Sequence, residues 1–592
     1  MKLQGKTAVI TGSGTGIGLA VARKFAENGA SVVILGRRKE PLDEAAAELK
    51  KIAESAGCGA SIRIFAGVDV ADESAITKMF DELSSSGVTV DILVNNAGVS
   101  GPVTCFANND LEEFRGAVDI HLTGSFWTSR EALKVMKKGS KIVTMTTFFA
   151  EERPLEQRPY RFRDPYTTAQ GAKNRLAEAM SWDLLDRGIT SIATNPGPVH
   201  SDRIYKTVYP RAALEFVRVS GFEDLQPEEV EVAGGRLIHL LGADDDARKK
   251  GIAEAAEHFA KLKPVDPAKL EATLDALLAK IKGIAEKIQA NTARMIPDGE
   301  FLSQDQVAET VLALCDDKMA KTVNGRVIPA DRVFYPVRAH VANAAPRVPP
   351  HDYSGGCVLF MIDAADDRDV ERATALASHV ESHGGTAVCI VSEDSPRAAK
   401  EMIASKFHSH ASHIDKVDEI NRWLSAASTK IGPISAVVHL SGRMPKSGSL
   451  MDLSRKEWDA LVDRFIGTPA AVLHRSLEHF APGGRKDPRL FKGKSGVIVI
   501  IGPDLPAGKK ASGAERARAE IFRGALRPLT TTVNQELSDV LKSNVRLFTI
   551  LPGRADGGET DDSRISAAID YFLTPEAVSS GEVIFCVDEN RG

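Results

Sequence analysis

The sequence predicts an α/β protein with two doubly wound parallel sheets in tandem, the first carrying a helical insertion. Three observations lead there. Short apolar runs, suited to strands buried on both faces, alternate with helical patterns along the chain. The first run, Thr7 to Ile10, passes through a glycine-rich turn into a helical pattern beginning at Leu19. Beyond a proline-rich stretch near residues 341–351, the strand spacing of the first half recurs in weaker form.

Bulk properties narrow the class. A chain of 592 residues is too long for one ordinary core. The composition, 43% hydrophobic and 26% charged, is that of a globular protein in water. A net charge of −5 is small for this length and gives no sign of a nucleic-acid or membrane partner. No apolar run reaches the roughly 18 residues of a membrane span, and Met1 to Lys6 carries no apolar leader. The six cysteines are scattered, without the spacing of a metal site, so buried thiols in a reduced cytoplasm are expected and no metal.

The first strand runs into Thr11-Gly12-Ser13-Gly14-Thr15-Gly16-Ile17-Gly18. Glycines between a strand and a helix allow a tight turn and a close backbone approach, and the free N–H groups of the helix start suit a pyrophosphate. Gly12, Ser13, Gly16, Ile17 and Gly18 are therefore candidate cofactor-binding residues. The second strand, Ser31 to Leu35, ends in Gly36-Arg37-Arg38. An acidic residue there would accept from the ribose 2′-hydroxyl of NAD. Arg37 and Arg38 can instead pair with the 2′-phosphate of NADP(H), the plain alternative being a solvated basic loop. The third strand, Ile62 to Phe65, leads to Asp69 and Val70, with Asp69 placed to meet the adenine. The fourth, Val90 to Val94, is followed by Asn95-Asn96-Ala97-Gly98.

The glycine turn, the Asp-Val pair and the Asn-Asn-Ala-Gly run, at these separations, resemble the short-chain dehydrogenase/reductase family. The resemblance implies a Rossmann-type sheet, NAD(P)(H) bound in part by Asn96, Ala97 and Gly98, and an Asn-Ser-Tyr-Lys active site. Carried over residue by residue, that site is altered. The Asn place holds His121, the Ser place Thr147 and the Lys place Gln170, while Tyr166 is retained. Threonine keeps the hydroxyl that would bind a substrate carbonyl. Glutamine keeps a hydrogen bond but loses the charge that favours a phenolate. Lys173 lies seven residues after Tyr166, about 20° off the same helix face; it is either a displaced cation for the site or a solvated helix lysine. Pro196, Gly197 and Val199, after the sixth strand, sit where the family closes over the nicotinamide.

Residues 204–300 are expected to be largely helical, with Leu270, Leu274, Leu277, Leu278 and Ile281 on one packing face. The family places its substrate lid there. The expected division is a first domain over 1–340, a linker over 341–353 and a second domain over 354–592. The second lacks the glycine turn after its first strand, where Asp363 and Asp366 would repel a pyrophosphate, and Ala519 and Arg523 stand at its tyrosine and lysine places. It is read as a degenerate Rossmann-like domain, packed on the first as subunits pack in the family's dimers; a homodimer of the whole chain stays open.

Over nearly the full length this order is similar to one half of the two-part malonyl-CoA reductases, more to the C-terminal half. The local features are Pro159-Tyr160 with Asp164 and Tyr166, Pro196-Gly197-Pro198-Val199 with Asp202-Arg203, and the insertion after them. The resemblance implies NADPH-dependent reduction of a small-molecule substrate, an acyl-CoA thioester such as malonyl-CoA or the derived semialdehyde. A generic ketone or alcohol dehydrogenase, and a catalytically impaired nucleotide-binding structural partner, are the alternatives that the altered residues leave open.

Overall fold

The computed structural model describes residues 2–57, 59–148, 161–199, 201, 204–223, 225–261, 267–332, 345–445, 448–506, 513–553, 560–580 and 583–586. Cys58, Pro159-Tyr160, Asp202-Arg203 and residues 341–344 of the proline-rich joint lie outside them.

Among the described residues the first half forms a seven-stranded parallel sheet in the order β3-β2-β1-β4-β5-β6-β7. The strands are β1 Thr7–Thr11, β2 Ser31–Gly36, β3 Ile62–Ala66, β4 Val90–Asn95, β5 Met136–Met145, β6 Thr190–Pro196 and β7 Val327–Ala330. Helices cover both faces, which is why the central strands are apolar without alternation; Val9, Ile10, Leu93, Val94, Ile142 and Val143 are all buried. Short acidic and hydroxyl side chains start the connecting helices. Asp72 accepts from the N–H groups of Ser74 and Ala75, Asp110 from those of Glu112 and Glu113, and Ser303 from that of Gln306. Strand order reverses between β1 and β4, the place where open α/β sheets bind ligands at the strands' carboxyl ends.

The second half repeats the plan in the order β10-β9-β8-β11-β12-β13-β14. Its strands are β8 Cys357–Ile362, β9 Thr386–Ser392, β10 His408–Ser412, β11 Ile434–Leu440, β12 Ser495–Ile501, β13 Asn544–Leu551 and β14 Ile584–Cys586. Two of them are absent from the sequence reading, for physical reasons. β10 is a polar edge strand held by its backbone pairing to β9, and β14 is three residues long. Where a glycine turn would follow β8, Asp363 is half-buried and its carboxyl is pushed up to about 6 by burial.

Between β6 and β7 the chain forms the helices Tyr209–Ser220, Pro227–Leu237, Asp245–Ala260 and Pro267–Ala293. The leucine stripe is their packing face: Leu270, Leu274, Leu277, Leu278 and Ile281 bury against Val230, Leu237 and Phe259 in a separate core. None of the described helices is long and apolar enough to cross a membrane.

The two halves share one core. The helix Asp164–Asp183, which carries Tyr166, packs along its counterpart Gly513–Gln535. Their backbones touch at two glycines. A Cβ on Gly171 would overlap the Gly524 carbonyl oxygen, and a Cβ on Gly524 would lie 2.8 Å from the Gly171 carbonyl oxygen. Trp458 stacks on Phe126 at 3.9 Å, and its indole N–H donates to Thr123 Oγ1 at 3.1 Å.

Candidate active site

A cleft of about 470 Å³ opens at the carboxyl ends of β1, β4, β5 and β6. The glycine turn forms one end. Gly12, Gly14, Thr15, Gly16 and Ile17 line it, Gly14 and Thr15 being additions to the sequence reading. Gly16 has φ of 63°, and a Cβ there would meet nothing within 4 Å; the conformation, and not crowding, calls for glycine at this corner. Ser13 and Gly18 stand behind this wall. Ser13 Oγ donates to the Ile10 carbonyl at 2.7 Å and accepts from the Leu35 N–H at 3.1 Å. Gly18 packs against Asn96 and the Gly12 carbonyl, where a Cβ would come within 2.5 Å of either. Asn96 joins the two turns, its Nδ2 donating to the carbonyls of Thr11 at 2.9 Å and Gly12 at 3.2 Å.

Arg37, Arg38, Asp69 and Val70 line the same end, together with Asn96, Ala97 and Gly98. Arg37 is exposed and lies 3.6 Å from the Asp69 carboxylate. Pro196, Gly197 and Val199 close the wall opposite, joined by Pro198, Ser201 and Ile204 at the edge of the insertion.

All five candidate catalytic residues line the far end of the cleft: His121, Thr147, Tyr166, Gln170 and Lys173. Tyr166, Gln170 and Lys173 share the helix Asp164–Asp183, while His121 and Thr147 come from other parts of the chain. His121 sits in a π-helical turn, Asp119–Thr123, that widens the helix at this point. Its Nε2 lies 2.9 Å from the Val99 carbonyl oxygen and 3.2 Å from the Val99 nitrogen, and its ring meets the Tyr166 ring edge to face at 5.2 Å. A Cβ on Gly98 would come within 2.5 Å of the His121 Cε1, so the glycine makes room for the imidazole. Thr146 is turned to the sheet, where its hydroxyl donates to the Thr194 carbonyl at 3.1 Å and to Asn195 Oδ1. Both Thr146 and Thr147 line the cleft.

Gln170 is buried, and its Oε1 has no hydrogen-bond partner among the described residues. Lys173 overturns one of its two expected readings. It is not a solvated helix lysine, being 1% exposed and part of the cleft wall. Its Nζ lies 3.5 Å from the Asn95 carbonyl oxygen, and burial brings its ammonium down to about 7.

Arg163 is the site residue that the sequence reading missed. Its guanidinium carbon lies 4.0 Å from the centre of the Tyr166 ring, and its Nη2 donates to the Ser100 carbonyl at 3.1 Å. It precedes Tyr166 by three residues, where an arginine is unremarkable in a sequence; only the fold turns it back onto the ring. Apart from Asp69 at the opposite end, the charged side chains lining the cleft among the described residues are basic.

The family profile for short chain dehydrogenases matches residues 6–208. The 3alpha-hydroxysteroid dehydrogenase of Mediterraneibacter gnavus is 33% identical over 219 residues, which are 36% of this chain and 81% of that protein. The 7alpha-hydroxysteroid dehydrogenase of Escherichia coli K12 is 27% identical over 233 residues, 39% of this chain and 86% of its own. Among solved structures, the N-domain of a bacterial malonyl-CoA reductase with NADP superposes with a TM-score of 0.68 at 19% identity, covering 100% of this chain and 98% of that one. The C-domain of a bacterial malonyl-CoA reductase with NADP gives 0.71 at 18% identity, covering 99% of each chain. At such identities the likeness speaks for the fold: two parallel α/β sheets in tandem with an insertion in the first. Sequence, sheet order and site together lead to one conclusion: the chain belongs to the short chain dehydrogenase family.

Proposed function

We propose that this chain is an NADPH-dependent reductase of an acyl-CoA thioester, malonyl-CoA-like, or of the semialdehyde derived from it. One observation carries the reading. A single cleft joins a glycine turn with Arg37 and Arg38 at one end to Tyr166 and Thr147 at the other.

The residues present fit NADP(H). The Gly16 corner is open where a pyrophosphate would approach, and two arginines stand where a 2′-phosphate would lie. The buried, unpartnered Oε1 of Gln170 is an acceptor in need of a donor, which a ribose hydroxyl would supply. Gly12, Gly16, Ile17, Arg37, Arg38, Asp69, Val70, Asn96, Ala97 and Gly98 would hold the adenosine and phosphates. Pro196, Gly197, Val199, Gln170 and Lys173 would hold the nicotinamide half. When bound, the nicotinamide supplies a hydride.

The chain's own residues do the rest. Thr147 would donate to the substrate carbonyl and fix its orientation, and the Tyr166 hydroxyl would give its proton to the oxygen as negative charge develops there. With a thioester this gives a hemithioacetal; as its C–S bond breaks, its hydroxyl would return the proton to the Tyr166 oxygen, the CoA thiolate would leave and an aldehyde would remain. Lys173, titrating at about 7, can take up or release a proton in the working range, and His121 packs on the Tyr166 ring beside it. The substrate class rests on the whole-length likeness to the malonyl-CoA reductase domains. The test is NADPH oxidation by the purified chain with malonyl-CoA, other acyl-CoAs, semialdehydes and free ketones. Turnover of CoA thioesters or semialdehydes is expected. Turnover of free ketones alone would make it a generic dehydrogenase, and tight NADPH binding with no turnover a nucleotide-binding partner.

A further inference from the structure

The segment leading into the Tyr166 helix is strained. Phe162 has φ of 69°, a left-handed conformation that a bulky aromatic residue rarely adopts. It is fully buried, so solvent does not relax it. Such a residue persists only where its surroundings over-determine it. Here the decisive partner comes from the other half of the chain. The Phe162 N–H donates to Glu536 Oε1 at 2.6 Å, and the other oxygen of the same carboxyl accepts from the Phe106 N–H at 2.8 Å. The Phe162 carbonyl accepts from the Thr104 N–H at 3.1 Å, and its ring packs on Phe216 at 4.8 Å. Arg161 pairs with Asp539, one turn beyond Glu536, at 2.8 Å.

The residue after Phe162 is Arg163, whose guanidinium covers the face of Tyr166. A cation on a ring face attracts a phenol, and it attracts a phenolate more strongly. This is the charge that Gln170 does not bring.

We infer that Glu536, from the half lacking a glycine turn, is a positioning residue for the Tyr166 site: by holding Phe162 in its left-handed conformation it seats Arg163 as the cation of Tyr166. The inference rests on the reading of Tyr166 as proton donor. It gives the second half a part in the chemistry beyond packing. The groups facing the Glu536 carboxyl are Asp164 and Cys105 with the two N–H donors. Burial, above all, raises it to about 7, and the neighbouring carboxyl of Asp164 is also raised, by burial and by Glu536. Around the Tyr166 ring stand Arg163 and His121.

The experiment compares Arg163→Met, Arg163→Lys, Glu536→Gln and their combination in the full chain, by two readouts. The first is the kcat/KM profile against pH for the reduction. The second, independent of turnover, is phenolate absorbance against pH, with Tyr166→Phe subtracted to isolate Tyr166. Arg163→Met is expected to lower kcat/KM about tenfold and to move the alkaline limb and the phenolate absorbance curve to higher pH. Arg163→Lys recovers part of both. Glu536→Gln keeps one acceptor oxygen and sets an amide N–H against a backbone N–H, so it moves both curves the same way. The double variant Glu536→Gln with Arg163→Met is no worse than Arg163→Met alone. If Glu536→Gln does not fold, Glu536→Asp, which withdraws the carboxyl by one methylene, takes its place. A folded Glu536 variant with unmoved curves, or an additive double variant, overturns the inference. A wild-type protein without turnover but with the expected phenolate shifts overturns only the proposed function.

Discussion

Replacing Lys173 by methionine should stabilise the protein while impairing it. The side chain is buried and its described contact is one carbonyl oxygen at 3.5 Å. Moving an ammonium from its ordinary 10.5 to about 7 corresponds to roughly 5 kcal/mol at 1.36 kcal/mol per pH unit. That figure is an upper bound, because water and backbone dipoles relax around buried charges. The sign follows from linkage. Between about pH 7 and 10.5 the unfolded chain binds a proton that the folded chain does not, so stability from this group rises with pH across that window and is lowest below it. Methionine has nearly the same volume and carries no charge, so it removes the penalty without a cavity. Lys173→Met should therefore gain about 2–5 kcal/mol below pH 7 and little above pH 10. Chemical denaturation of the full chain at a series of pH values, followed by far-ultraviolet circular dichroism, measures this. A variant less stable than the wild type at pH 6, or a gain independent of pH, would show that Lys173 is a paired cation and refute the reasoning. Such a gain with a fall in NADPH turnover would mark the lysine as kept for activity and not for the fold.

Three further outcomes follow from the same geometry. Gln170→Lys alone should change turnover little, because Lys173 opposes a second buried cation nearby; combined with Lys173→Met it should restore at least half the lost kcat, read by NADPH oxidation. Arg38→Ala with Arg37→Ala should weaken NADPH about 10–100-fold relative to NADH, by loss of charge-assisted hydrogen bonds worth about 1.5–3 kcal/mol, measured by fluorescence titration of each cofactor. Gly171→Ala should destabilise by about 1–3 kcal/mol through overpacking, since its Cβ has no room against the Gly524 carbonyl; the denaturation midpoint reports it.

Much of the frame was legible because parallel strands buried on both faces must be apolar, and because the turn from β1 needs glycine where φ is positive. Thus β1, β2, β4, β8 and β11 are visible as runs of Val, Ile and Leu. β10 was hidden because an edge strand can satisfy its backbone with polar side chains facing water. Tyr166, Gln170 and Thr147 were expected from the family resemblance, carried over by register, and all line the cleft. Arg163 was not, since its place on the ring is set by the left-handed turn at Phe162 and by Glu536, which lies 373 positions farther along the chain than Arg163. Lys173 was ambiguous for a related reason. Helix geometry put it near the right face, but whether that face meets water depends on what packs against the helix.

The Tyr166 helix itself explains why a half without a glycine turn stays attached. Most helices on an α/β sheet bury one stripe and wet the other. This one is buried on almost every side, from Pro165 through Met180, with Leu176 and Ala179 as closed to solvent as Gln170 and Lys173. Facing the sheet accounts for one side only. The other is closed by the helix Gly513–Gln535, at a distance that two glycines set. In the second half, among the described residues, several charged side chains are paired within that half. Arg372 is locked between Asp504 and Asp562, Arg464 lies against Asp363, and Arg523 donates to the carbonyls of Pro503 and Pro552. Without this half, the first domain would expose the apolar back of its own tyrosine helix and lose the carboxyl that holds Phe162. A sheet without a glycine turn after its first strand can still support one that has it, because the two share a helix pair and not merely a surface.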